Sequence, residues 1–334
     1  MYFPDAPKKI AVYLCALIAL TIIAVTSFGF IGRSNFYLPP VEINPESSSN
    51  GQHKKPPIPI LFSEESMQWG LTTAHRQSSK KLTDIREITG SGACVIDADG
   101  DGWEDILIVG GSGEHRFYGR QAWWGKPHAG NSLWRNIDGN HFENITDSAA
   151  IPTATWPMGC AVADFDNDGY DEIFMNNIGE PNKLFKILDN GVLEQLPLDI
   201  GLEPDGYGTG AAVADIDNDG VLELLVSHGE SFDQPLSLYK AKVNPKNKYL
   251  RIKPLNKYGA PARGATVTLI SNLRKHSKTI DSGSGYLCQM EPVAHFGIRK
   301  NEKNIKVQVK WTNGKTEIIS VKKLNKTITL NQSN

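Results

Sequence analysis

Three nine-residue stretches constrain this chain more than any other feature: DADGDGWED at 97–105, DFDNDGYDE at 164–172 and DIDNDGVLE at 215–223. Each places acidic residues at positions 1, 3, 5 and 9. These are Asp97, Asp99, Asp101 and Asp105 in the first, then Asp164, Asp166, Asp168 and Glu172, then Asp215, Asp217, Asp219 and Glu223. Glycine holds position 6 (Gly102, Gly169, Gly220), where a tight turn benefits from a residue tolerant of positive φ. Four carboxylates so close together repel one another unless a cation sits among them. Calcium fits such a set, because it takes six to eight oxygen ligands in a flexible shell, whereas magnesium keeps its waters and zinc prefers His and Cys. The position-7 carbonyls of Trp103, Tyr170 and Val221 complete the expected ligand set.

An EF-hand would need flanking helices and a glutamate at position 12. Position 12 is Ile108, Met175 and Val226, and the flanks are apolar runs of strand character. Each loop therefore reads as the turn of a β-hairpin.

The loops sit inside longer repeats at 91–111, 158–179 and 209–230. Further markers recur in phase, among them Leu133-Trp134-Arg135, Leu184-Phe185-Lys186 and Leu238-Tyr239-Lys240. The first cycle carries 13 extra residues ahead of its loop. Each cycle has about the size of a propeller blade, which predicts an all-β, propeller-like domain over 61–244 with three recognisable blades. Closed propellers need four or more blades. The ring is thus expected to be completed by degenerate strands, by the C-terminal domain or by another chain, or else to stay an open stack.

The loops resemble FG-GAP or VCBS-type repeats of the kind found in integrin α-subunit propellers. ITGSGACVIDADGDGWEDILIVGG, LWRNIDGNHFENIT and WPMGCAVADFDNDG, with His75, resemble the ASPIC/UnbV family more specifically. So do Arg263-Gly264-Ala265-Thr266-Val267, GSGYLCQMEPVAHFGI (283–298) and VKWTNGKTEIISV. The resemblance covers about 60–330. It implies extracytoplasmic calcium-binding repeats followed by a small C-terminal β-domain, and it implies no agreed catalytic activity.

Within that C-terminal part (245–334), Tyr249–Lys253, Thr266–Ile270 and Lys306–Trp311 alternate as strands do. Asn313-Gly314 signals a hairpin turn, and His295 reads as a structural residue near a turn. Charge divides the chain: residues 57–239 hold 30 acidic against 10 basic residues, and 240–326 hold 4 against 20. No nucleic-acid motif accompanies the basic part.

Ile10 to Ile31 is a 22-residue uncharged run, about 33 Å as a helix, preceded by Lys8 and Lys9. It predicts an uncleaved transmembrane signal-anchor (10–31) with residues 1–9 cytoplasmic, the bulk of the chain periplasmic or extracellular, and a linker at 32–60. Cys94 and Cys160 lie three and four residues before their loops, hence on opposite strand faces, and read as two buried thiols; Cys288 reads as a core residue.

The insertion at 112–130 crowds His115, Arg116, Tyr118, Arg120, Trp123, Trp124 and His128 into one loop. Arginine and aromatic residues on a loop suit a partner or ligand surface, and His75 and Glu87 are expected near it. There is no nucleophile elbow and no HExxH motif. The expected function is that of a membrane-anchored calcium-binding protein in adhesion, scaffolding or protein interaction. An accessory factor or enzyme of an envelope or biosynthetic pathway and a glycan-binding module are the alternatives.

Overall fold

A computed structural model describes residues 63–72, 92–110, 115–117, 120–122, 130–152, 157–189, 191–197, 199–202, 206–229, 236–281 and 288–333. The signal-anchor, the linker, His75, Glu87, Tyr118, Trp123, Trp124 and His128 lie outside these residues. No helix among the described residues is long and apolar enough to cross a membrane.

All elements among the described residues are strands, as the alternating sequence patterns require. The first repeat forms β1 (Gly92–Ile96), β2 (Asp105–Val109), β5 (Ser132–Ile137) and β6 (His141–Asn144), an antiparallel sheet in that order. The insertion contributes a separate hairpin, β3 (His115–Phe117) and β4 (Arg120–Ala122). The second repeat forms β7 (Pro157–Ala163), β8 (Glu172–Glu180), β9 (Lys183–Ile187) and β10 (Leu193–Gln195). The third forms β11 (Gly206–Ala214), β12 (Glu223–His228) and β13 (Ser237–Lys240). In each, the aspartate loop joins the first two strands. The arrangement is propeller-like, with three recognisable repeats.

Alternation along the strands gives every middle blade two apolar faces. In the second blade Cys160, Ile173, Met175, Phe185 and Ile187 pack toward Cys94, Ile96, Leu107 and Val109 of the first. Ala161, Ala163 and Phe174 face the other way, toward Ala211, Val213, Leu224 and Val226 of the third. Adjacent blades therefore meet through opposite faces. This corrects the expectation for Cys94 and Cys160, which form a disulfide across the first blade interface with Cα atoms 6.1 Å apart. Their one-residue offset does point them to opposite faces of equivalent strands, and in stacked blades those are the faces that touch.

The C-terminal part is a two-layer sandwich. One sheet holds β17 (Ala294–Ile298), β14 (Lys248–Leu255) and β20 (Lys326–Asn331); the other holds β16 (Lys275–Thr279), β15 (Thr266–Ile270), β18 (Lys306–Lys310) and β19 (Thr316–Ser320). Leu250, Ile252, Val267, Leu269, Phe296, Val307, Val309 and Trp311 fill the space between the layers. The expected turn at Asn313-Gly314 joins β18 to β19, with Gly314 at φ 83°. His295 is buried as the second residue of β17, just after the bend at 292–293. Cys288 is a half-buried free thiol rather than a core residue.

Candidate metal centres and the domain seam

The same hydrogen bonds build all three loops. The position-6 glycine N–H donates to the position-1 carboxylate: Gly102 to Asp97 (3.1 Å), Gly169 to Asp164 (2.8 Å) and Gly220 to Asp215 (3.0 Å). The position-5 N–H donates to position 3, and the position-7 N–H of Trp103, Tyr170 and Val221 donates to position 5. The position-2 N–H donates to position 9, closing the loop onto its second strand. Besides the glycine at position 6, position 4 also takes a positive φ, at Gly100, Asn167 and Asn218. Asparagine tolerates that region better than most residues, which accounts for the recurring Asn-Asp-Gly.

Most of these carboxylates spend one oxygen on the loop, but Asp164 spends both, Oδ1 accepting from the Asp168 N–H and Oδ2 from the Gly169 N–H. Carboxylate oxygens of each loop converge. Ligand atoms of Asp97, Asp99 and Asp101, of Asp164, Asp166 and Glu172, and of Asp215, Asp217 and Glu223 lie within 4.8 Å of one another in each group. Asp97 Oδ1 and Asp215 Oδ1 are buried with no hydrogen-bond partner, while Asp99 Oδ2, Glu172 Oε1 and Glu223 Oε1 face a basic side chain, Arg135, Lys186 and Lys240 in turn. A buried acceptor left unpaired is costly, so these atoms fit a cation. Asp105 is different. Its two oxygens accept from Ala98 and Asn136 N–H groups at 3.0 and 2.7 Å, which makes it a scaffold residue. Asp168 and Asp219 sit outside the converging groups, beside lysines.

Electrostatics agree with the geometry. Burial pushes the carboxyls of Asp97 and Asp105 up to about 7. Burial, then repulsion from Asp171 and Asp168, pushes Asp164 up to about 8. Burial, then Asp164 and Asp166, pushes Glu172 up to about 9. A nearby cation reverses such shifts, because opposite charge favours the ionised form.

Sequence reasoning did not find what covers the loops. The basic sandwich docks on the acidic loops and grips the position-6 carbonyls. Ser277 Oγ donates to Gly102 O at 2.9 Å, while its N–H donates to Asp97 Oδ2 at 2.9 Å. Arg274 and Arg299 both donate to Gly169 O, Arg299 at 3.1 Å. Asn167 donates to Gly220 O at 2.8 Å, tying the second loop to the third. Arg251 is buried between Asp215 (2.8 Å) and Glu291 (2.6 Å). The only forewarning was the charge asymmetry of the chain.

Two buried histidines lie in this seam. His276 Nε2 donates to Asp171 at 3.1 Å, and its Nδ1 accepts from Arg274 at 2.9 Å. Burial lowers it to about 4 despite Asp171. His295 Nε2 donates to Asn167 at 2.6 Å and stacks on Tyr249. Burial, then Lys278 and Arg251, lowers it to about 3. Asp171 shifts the other way: burial alone would raise its carboxyl, but Lys278 at 2.7 Å and then His276 hold it well below the usual range. A cleft of about 1030 Å³ along the seam is lined by Asp97, Asp99 and Asp168 and gives the first two loops a solvent path.

Of the expected partner-surface residues, His115, Arg116 and Arg120 fall on the β3–β4 hairpin.

Comparison with known proteins places this architecture. Residues 97–175 and 164–226 match the FG-GAP-like repeat model, and 256–334 match the ASPIC and UnbV model. The chain is 41% identical over 235 residues to cartilage acidic protein 1 of Homo sapiens, covering 68% of this chain and 33% of that protein. It is 40% identical over 250 residues to the Xenopus tropicalis protein of that name, covering 71% and 36%. The chain thus spans about a third of the length of these relatives.

Proposed function

We propose that this chain, which carries FG-GAP-like repeats and an ASPIC and UnbV domain, is an extracytoplasmic calcium-binding interaction protein. The observation that carries the reading is the convergence of carboxylate oxygens in each loop, with Asp97 Oδ1 and Asp215 Oδ1 buried and unpaired. Asp97, Asp99 and Asp101 would hold an ion in the first loop. Asp164, Asp166 and Glu172 would do so in the second, and Asp215, Asp217 and Glu223 in the third. Carbonyls of Trp103, Tyr170 and Val221 are the proposed backbone ligands. Calcium would supply concentrated positive charge among these carboxylates. The chain's own part is to pre-position the carboxylates through the loop hydrogen bonds and to clamp the glycine carbonyls from the sandwich.

The Cys94–Cys160 disulfide supports an oxidising compartment. The uncharged run 10–31 supports a membrane anchor. The insertion at 112–130, with His115, Arg116, Tyr118, Arg120, Trp123, Trp124 and His128, is the proposed partner surface for an extracytoplasmic protein.

Thermal melting of the full chain in excess EDTA and in millimolar calcium tests the metal reading. A ligand at a hundred times its dissociation constant stabilises by about 2.7 kcal/mol, which predicts a Tm several degrees higher in calcium. Superimposable melts would contradict it.

A further inference from the structure

Each loop already faces a cation from its own blade. These cations are the last residues of the recurring markers: Arg135 on β5, Lys186 on β9 and Lys240 on β13. Strand register sets the two lysines directly opposite the position-9 glutamates, Lys186 against Glu172 and Lys240 against Glu223.

Lys240 Nζ lies 2.7 Å from Asp217, 2.8 Å from Asp219 and 2.7 Å from Glu223. Lys186 Nζ touches Asp168 and lies 3.4 Å from Glu172 and 3.6 Å from Asp166. An ammonium has three donors and no acceptor, so three carboxylates around it match its bonding capacity. Two of the three carboxylates around each lysine, Asp166 with Glu172 and Asp217 with Glu223, belong to the groups that converge for an ion.

The first loop differs. Its position 9 is Asp105, whose oxygens are both taken by backbone N–H groups. Its basic residue is an arginine, 41% exposed, which reaches Asp99 at 2.5 Å and Asp101 at 3.6 Å from the rim. Asp97 Oδ1 keeps no partner, and Asp215 Oδ1 of the third loop keeps none either.

We propose that Lys186 and Lys240 are resident cations of the second and third loops, so that a divalent ion enters those loops only by displacing an ammonium. The inference rests on the calcium reading above. An ammonium and a divalent ion cannot share a space a few ångströms across, because their repulsion at low effective dielectric is large. Without metal, the lysines hold the second and third loops against carboxylate repulsion.

The test is a calcium titration by calorimetry of the full chain, wild type against Lys186→Gln, Lys240→Gln and the double variant, with Lys186→Arg as the charge-retaining control. The expected result is, for each lysine removed, one site whose calcium affinity rises at least tenfold over wild type, with no gain in Lys186→Arg. In EDTA, each Gln variant should also melt below wild type and recover in calcium. Lys240 lies on the edge strand β13, so Lys240→Gln is the variant least prone to misfold. If wild type binds calcium and the Gln variants bind equally or more weakly, the exchange is overturned while the calcium reading stands. If wild type and all variants bind none, the calcium reading fails and the exchange with it.

Discussion

His276 and His295 are each held neutral by a specific tautomer. In both, Nε2 carries the proton toward an acceptor, and at His276 the other nitrogen faces the Arg274 guanidinium. A second proton would set two like charges together in a buried seam. Both folded-state values, about 4 and about 3, lie below the unfolded value near 6.5. The unfolded chain therefore binds more protons in that window. Stability from these residues is present above pH 6.5 and lost as pH falls toward 4. At about 1.4 kcal/mol per unit, each contributes on the order of 3 kcal/mol over the full window. Asp97, Asp105, Asp164 and Glu172 have raised values and act in the opposite direction, so the comparison must be between proteins. Urea unfolding at pH 7 and pH 4.5 should show wild type losing more stability than a His276→Gln/His295→Gln variant. Equal losses would show that the histidines do not report the seam.

At the scale of elements, β17 matters because its backbone lies directly on the second loop. A Cβ built at Gly297 would meet Asp164 Oδ2 at 1.9 Å and the Asn167 carbonyl carbon at 2.7 Å. Neither can retreat easily, since both belong to the loop's hydrogen-bonded frame. Gly297→Ala should therefore destabilise by about 1–3 kcal/mol, as overpacking does, and weaken calcium binding at the second loop. A variant that melts and binds like wild type would mean that the strand does not press on the loop. The strands and loops themselves were legible in the sequence, because period-2 alternation and recurring Asp spacing are local signals. The seam was not legible. Ser277, Arg274 and Arg299 belong to segments far along the chain that carry no motif, Gly297 belongs to a family motif that does not reveal its neighbour, and only the net charge of the two halves hinted that they meet. Arg135, Lys186 and Lys240 were visible as repeat markers, but their role depends on cross-strand register, which the spacing of one repeat does not reveal.

For the molecule as a whole, blade stacking is the organising interaction, and the disulfide pins one interface of it. Cys94 and Cys160 are 66 residues apart. A closed loop of that length restricts the unfolded chain by about 4 kcal/mol in the chain-entropy account. A Cys94→Ala/Cys160→Ala variant should melt well below the oxidised wild type and near the reduced wild type. Identical melting of all three would mean that apolar packing alone fixes the interface. The pairing was hidden in the sequence because a face assignment for one strand says nothing until the blade next to it is placed. The seam closes over the loops, so the aspartate loops, the stacked blades and the docked sandwich form one linked structure.

The position-1 aspartates carry the central claim, because each frames its loop through the glycine N–H and belongs to the converging group. The most direct test is equilibrium dialysis of radioactive calcium against the full chain and the Asp97→Asn, Asp164→Asn and Asp215→Asn variants, at calcium high enough to complete the lysine exchange. Saturable binding in wild type, with one equivalent lost in each variant and none left in the triple variant, is the predicted result. A triple variant that binds as much calcium as wild type would contradict the account.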